Sequence, residues 1–146
     1  MLAVAESSNN PESLSIAHTF VAETLLYRAR YRDAQKHLEL ATALCAEYGH
    51  PGLSEWALAA PALLAISVLT LGYPDSARDL AGRASRYAAG CADPNKVGGV
   101  HLWLGIFNGM LRDASGERED ARVMRELSIK HPVWNGLADF FPHYRK

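Results

Sequence analysis

The stretch Gly72–Ala77, which reads GYPDSA, decides the fold because related stretches occur on either side of it. Ala29–Ala34 (ARYRDA) precedes it and Gly116–Ala121 (GEREDA) follows it. The final alanines of the three stretches lie 43 and 44 residues apart, at Ala34, Ala77 and Ala121. An internal repeat with a period in this range predicts a stack of helical hairpins. Proteins of that architecture commonly present a surface to a partner.

Small residues accompany each of these alanines at fixed distances, as close packing of two helices in a hairpin requires. The residues expected to face them from the preceding helix are Ala22, Ala65 and Gly109. The residues expected to contact the next hairpin are Ala41, Ala84 and Ser128. The tight turn between the two helices is assigned to Ala29, Gly72 and Gly116.

Apolar residues recur at helical spacing along most of the chain, and no strand-like alternation of useful length is present. Asn10 followed by Pro11 predicts the start of the first long helix. Pro61 falls inside the third helical pattern, where it either kinks the helix or marks its first turn. The sequence predicts one all-α domain over residues 1–146. It comprises hairpins at 12–50, 54–91 and 96–131 and a C-terminal capping helix at 133–143.

Composition limits the class of function. The chain has 146 residues, of which 49% are hydrophobic and 21% charged, and its net charge is −1. This predicts a folded protein with no basic excess for nucleic acid. The apolar segment 57–71 is short for a membrane span of ~20 residues, and residues 1–10 do not resemble a signal peptide. The chain has two cysteines, Cys45 and Cys91. We predict that both are buried, reduced thiols, as is usual for a cytoplasmic protein.

The sequence contains no convincing catalytic or metal-binding pattern. The six histidines show no metal-ligand spacing. Cys45 and His50 are poorly placed for a nucleophile and base. The acidic cluster of Glu117, Glu119 and Asp120 is explained by the positive end of a helix. We therefore predict no enzyme activity, no cofactor and no metal, although an unfamiliar active site stays a minor alternative.

The repeated pattern resembles the tetratricopeptide repeat, in which small, turn, small and large positions recur in this order. The resemblance covers most of the chain but departs from the family at two points. His18, Pro61 and Gly105 stand where tryptophan is usual, and the period exceeds the family's ~34 residues. HEAT-like or armadillo-like repeats, with periods of ~40–47 residues, fit the length better and the residue pattern less well. The resemblance implies a right-handed superhelical stack of about three hairpins.

Three short stretches of sequence are similar to the C-terminal helical-repeat region of large bacterial regulators. They are Leu71–Ala77, Tyr48–Gly52 and Lys130–Trp134. Those proteins join such repeats to a nucleotide-binding ATPase module and to an adenylate-cyclase-like or DNA-binding module. This sequence has no phosphate-binding loop of the Gly-x-x-x-x-Gly-Lys-Ser/Thr type, so no such activity is carried over.

In the tetratricopeptide pattern the first helices of the hairpins form an inner groove. The resemblance assigns to this groove Thr19, Glu23, Tyr27, Ala62, Ile66, Thr70, Trp103, Ile106, Met110 and Asp113. The groove is either covered, by residues 134–141 or by a second copy of the chain, or open to a partner's helix or extended peptide.

The leading hypothesis is a non-enzymatic module that binds a protein or peptide, with a second copy of the chain as one candidate partner. It would be the sensing or assembly part of a bacterial regulatory system. The alternative is a sensor that binds a small apolar or cationic molecule between Trp103, Tyr27 and Glu23. Neither hypothesis involves nucleic acid or a membrane.

Overall fold

In the computed structural model, which describes residues 2–8, 10–48, 55–139 and 141, all regular secondary structure is helical. The helices are α1 (Leu2–Ser8), α2 (Pro11–Tyr27), α3 (Tyr31–Tyr48), α4 (Glu55–Thr70), α5 (Pro74–Ala89), α6 (Pro94–Met110), α7 (Ala114–Ser128) and α8 (Val133–Ala138). The predicted all-α class is confirmed. The short α1, which packs against α2, was not predicted. None of the described helices combines the length and hydropathy needed to cross a membrane.

The helices pack in adjacent pairs: α2 with α3, α4 with α5, and α6 with α7. The central helix α4 also contacts α2, α3 and α6, and every residue from Ala57 to Val68 is buried. A helix that is apolar all round is expected to be covered on all sides, so its sequence and its place agree. Pro61 lies inside α4 rather than in its first turn.

Side-chain caps define where several helices begin, because the first backbone N–H groups of a helix have no partner within it. The Asn10 carboxamide oxygen accepts hydrogen bonds from the backbone N–H of Glu12 (3.0 Å) and Ser13 (3.2 Å), as predicted. Asp113 caps α7 in the same way. Since α7 begins at Ala114, the turn of the third hairpin lies earlier in the chain than Gly116, to which the sequence pattern assigned it.

The backbone of the turns shows the size of this offset. Positive φ angles occur at Ala29 (57°), Gly72 (95°) and Arg112 (56°), each in the turn between two paired helices. Gly116, to which we assigned the third turn, lies instead in the first turn of α7. The third repeat is therefore shifted by one helical turn, and the predicted register is wrong for this hairpin.

With the third repeat shifted by one turn, Glu117 rather than Ala121 occupies the position that Ala34 and Ala77 hold in the first two hairpins. Both alanines are fully buried, and Glu117 is 1% exposed. Gly109 lies beside it: a Cβ built on this glycine would lie 3.9 Å from the Glu117 carboxyl group. Ala121 is also fully buried, one turn further along the same face. The sequence pattern matched this second buried position instead of the first.

Replacing Ala77 by leucine is expected to overpack the contact between α4 and α5. Ala77 has no exposed surface, and extra methylene groups in a close-packed core lower the free energy of unfolding by about 1–3 kcal/mol. Thermal or urea denaturation measures the change. Ala43→Leu, at an exposed position of α3, is the matched control and should change stability little. Equal melting temperatures for wild type and Ala77→Leu would contradict the packing described.

Candidate ligand-binding cleft

A cleft of ≈ 390 Å³ lies where α2, α4, α6 and α8 meet. Its walls come from all three hairpins and from α8, so distant parts of the chain build it together. The lining residues are Glu23, Tyr27, Ala59, Gly99, Leu102, Trp103, Ile106, Trp134 and Leu137. Most of this lining is apolar, and three of its members are aromatic.

The α2 wall of the cleft is built by residues one helical turn apart. Glu23 and Tyr27 are at positions i and i+4, which places them on one face near the end of the helix. Thr19, one turn earlier, is fully buried, and its hydroxyl donates a hydrogen bond to the backbone oxygen of Ser15 (2.9 Å). The same face of α2 is therefore buried in the core at Thr19 and lines the cleft at Glu23 and Tyr27.

Glu23 supplies the negative charge of the cleft. Partial burial raises the pKa of its carboxyl group, and a hydrogen bond with the Tyr27 side chain acts in the opposite direction. The pKa of Tyr27 is raised by partial burial and by the neighbouring Glu23. Among the described residues, no ion pair involves Glu23. The carboxylate therefore lies in a largely apolar cleft without a described cationic partner.

The α6 wall presents Gly99, Leu102, Trp103 and Ile106, a spacing that follows one face of the helix. Ile106 is 37% exposed and Trp103 is partly buried against the core. The exposure of a large aliphatic side chain at this point makes the wall accessible to a ligand.

Two glycines of α6 hold the C-terminal segment in place. A Cβ on Gly98 would lie 2.4 Å from the Trp134 ring, and one on Gly105 would lie 2.4 Å from the Phe141 ring. Real side chains do not approach so closely, so only glycine permits these two contacts. The Trp134 indole N–H also donates a hydrogen bond to the Asn95 side-chain oxygen (3.3 Å). Helix α8 is thereby fixed as one wall of the cleft.

Four of the ten residues assigned to the groove from the sequence meet in this cleft: Glu23, Tyr27, Trp103 and Ile106. Three others are buried in the helix packing and do not form an open groove: Thr19 and Ala62 have no exposed surface, and Ile66 is 8% exposed. The last three are exposed but do not line the cleft: Thr70, Met110 and Asp113. Asp113 caps α7, and the Thr70 hydroxyl donates a hydrogen bond to the Ile66 backbone oxygen.

The contribution of α8 to a binding surface was not predicted from the repeat pattern. Residues 134–141 were considered as a cover for the groove, whereas Trp134 and Leu137 form one of its walls. Gly98 and Gly105, seven residues apart like Trp134 and Phe141, were the available signal. Two glycines on one helical face indicate that bulky side chains approach there.

A second depression, of ≈ 470 Å³, lies between α3 and α5 over the surface of α4. Gln35, Glu39, Ser76 and Arg83 give its lining a more polar character. Glu39 is already engaged by a hydrogen bond from Gln35 (2.7 Å). This depression lacks tryptophan, and no residue assigned to the groove from the sequence lines it.

Polar pairs occupy equivalent positions in the first and third hairpins. His18 and His37 approach to 2.8 Å between their Nδ1 atoms, and His101 Nδ1 lies 2.7 Å from Asp120 Oδ1. In the second hairpin the corresponding residues are the apolar Pro61 and Leu80. His101, rather than Gly105, is therefore the counterpart of His18, in agreement with the corrected register.

These polar groups do not form a metal site: within the described residues, no three His, Cys, Asp or Glu side chains are grouped to hold an ion. Cys91 is a partly exposed free thiol, whereas burial was predicted. The side chain of Cys45 and all of His50 lie outside the described residues.

Burial of His18 beside His37 is expected to make stability depend on pH. Burial lowers the pKa of His18 below its usual value of 6.5, and the neighbouring His37 lowers it further. Glu6 acts in the opposite direction but does not cancel the shift. The unfolded chain therefore takes up a proton at this histidine at a higher pH than the folded chain. The stabilisation is present above about pH 6.5 and is lost as the pH falls through the lowered pKa.

Melting temperatures between about pH 7.5 and pH 5 measure this dependence. Wild type should lose more stability over this interval than His18→Gln, while His131→Gln, outside the pair, should behave like wild type. If wild type and His18→Gln lost stability equally, His18 would not be the source of the pH dependence.

Comparison with known proteins gives no relative: no protein-family model, no curated protein and no solved structure matches the chain.

Proposed function

We propose that the chain is a non-enzymatic protein-binding module of the tetratricopeptide-like type, a right-handed superhelical stack of three hairpins capped by α8. Two features support this architecture. Small residues are buried at matching positions of the first two hairpins, and α4 contacts the first helix of each neighbouring hairpin, α2 and α6. A stack of this kind offers a continuous surface formed by several repeats.

The observation that carries the proposal is the cleft itself. Tyr27 is 78% exposed and Ile106 is 37% exposed, and both lie beside two tryptophans in one concave surface. Aromatic side chains are enriched in protein interfaces because they bury a large area with few rotatable bonds. The cleft is the recognition point for a protein or peptide partner.

The resemblance to the repeat region of bacterial regulators supports a role in sensing or assembly within such a system. A second copy of the chain is one possible partner. The net charge of −1 does not favour nucleic acid.

Selection of peptides from a displayed random library tests this proposal. Wild-type protein should enrich a family of sequences, and Ile106→Asp should fail to bind them, because the substitution puts a charge into the apolar wall. Ile129→Asp is the matched control: Ile129 is 84% exposed and lies at the end of α7, outside the cleft. It should bind the selected peptides as wild type does.

Circular dichroism of the two variants should show the same helical spectrum as wild type. Peptides that bind wild type and Ile106→Asp with equal affinity, or the absence of any enriched peptide, would contradict the cleft as a protein-binding surface.

The size of the cleft favours a small-molecule sensor as the second candidate. Its volume of ≈ 390 Å³ falls within the range of about 300–1,000 Å³ found for small-molecule pockets. A metabolite that raises the melting temperature of wild type and Ile129→Asp, but not of Ile106→Asp, would support this function. A broad metabolite panel without any such shift would count against it.

A further inference from the structure

The cleft combines one carboxylate with an apolar, aromatic lining. Of its lining side chains, Glu23 and Tyr27 carry polar groups that face no cationic partner among the described residues. The indole N–H of Trp134 is already engaged by Asn95. Glu23 is therefore the group of the cleft lining that a polar or charged ligand group would pair with.

A carboxylate partly removed from water is stabilised when a cation pairs with it. The faces of tryptophan and tyrosine rings also attract cations through the ring quadrupole. Trp103, Trp134 and Tyr27 line the same cleft as Glu23, so both interactions favour a positively charged group at one place.

We propose that the cleft binds an arginine side chain of a peptide partner, with the guanidinium group paired to Glu23 and stacked on the aromatic lining. Arginine fits this chemistry better than lysine does. Its planar guanidinium forms two parallel hydrogen bonds with a carboxylate, stacks on aromatic rings and is less strongly hydrated than an ammonium group. The inference rests on the proposed function, since it names the side chain that the partner inserts.

The test uses the peptides selected on wild-type protein. Arginine should be enriched at one position, and its replacement by citrulline, a neutral side chain of the same shape, should weaken binding to wild type by roughly tenfold or more. For Glu23→Gln the same replacement should change the affinity by less than about threefold. Glu12→Gln, at the start of the same helix, is the control and should retain the full effect.

Failure of this inference differs from failure of the proposed function. Ile106-dependent peptides that lack arginine, or that bind equally well with citrulline, overturn the inference and leave the binding cleft in place. A citrulline effect that persists undiminished in Glu23→Gln also overturns it, because the guanidinium would then pair elsewhere. So does a protein that is a dimer in light scattering and becomes monomeric as Ile106→Asp, because the occupant of the cleft would be a second copy.

Discussion

Asp120→Ala is expected to lower the free energy of unfolding by about 3 kcal/mol, because it leaves two donors on α6 without an acceptor. Asp120 is 5% exposed. Its two carboxylate oxygens contact His101 Nδ1 at 2.7 Å and accept a hydrogen bond from Asn108 Nδ2 at 2.8 Å. A buried donor that loses its partner costs about 1–3 kcal/mol, and two are affected here. Urea denaturation measures the loss.

The matched control for this substitution is Asp79→Ala. Asp79 is an exposed residue of α5, and surface substitutions of this kind usually change stability by less than about 0.5 kcal/mol. Similar losses for the two variants would show that the Asp120 network does not hold α6 against α7.

Gly98→Ala is expected to destabilise the protein by about 1–3 kcal/mol, although alanine is normally the better helix former. The added methyl group would lie 2.4–2.7 Å from three atoms of the Trp134 ring, so α8 must shift outward. Since Trp134 lines the cleft, the same substitution should alter tryptophan fluorescence and weaken binding of the selected peptides.

Gly82→Ala gives the opposite expectation. A Cβ at Gly82, within α5, meets only the Arg86 guanidinium, at an ordinary 3.6 Å, so the gain in helix propensity should stabilise the protein by about 0.5–1 kcal/mol. In a Trp134→Ala background, Gly98→Ala should also become stabilising. If Gly98→Ala stabilised the wild-type protein, the close contact with α8 would not exist.

The helices and the central place of α4 could be predicted from the sequence because they depend on local patterns. Asn10 followed by Pro11 marks a helix start. The nearly continuous run of apolar residues in α4 indicates a helix that is buried on all sides. The register of the third hairpin could not be predicted in this way. Glu117 and Ala121 lie on the same face one turn apart, and a buried glutamate at a packing position contradicts the usual preference for a small apolar residue.

The cleft was predicted only in part, for a different physical reason. Glu23 and Tyr27 follow from the repeat pattern, whereas Trp103 and Ile106 were assigned in a register that is one helical turn off and line the cleft nonetheless. Trp134 and Leu137 belong to no repeat, and their place depends on the tertiary contact with Gly98 and Gly105. Burial of Ile66 likewise depends on how closely neighbouring hairpins pack, which the repeat spacing does not specify.

The most direct test of the binding cleft is an NMR titration of uniformly ¹⁵N-labelled protein with a selected peptide. If the cleft is the binding surface, the largest shifts should occur in the side-chain indole N–H signals of Trp103 and Trp134 and in the backbone of Glu23 and Tyr27. Shifts confined to the depression between α3 and α5, at residues such as Gln35 and Arg83, would contradict the assignment of function to the cleft.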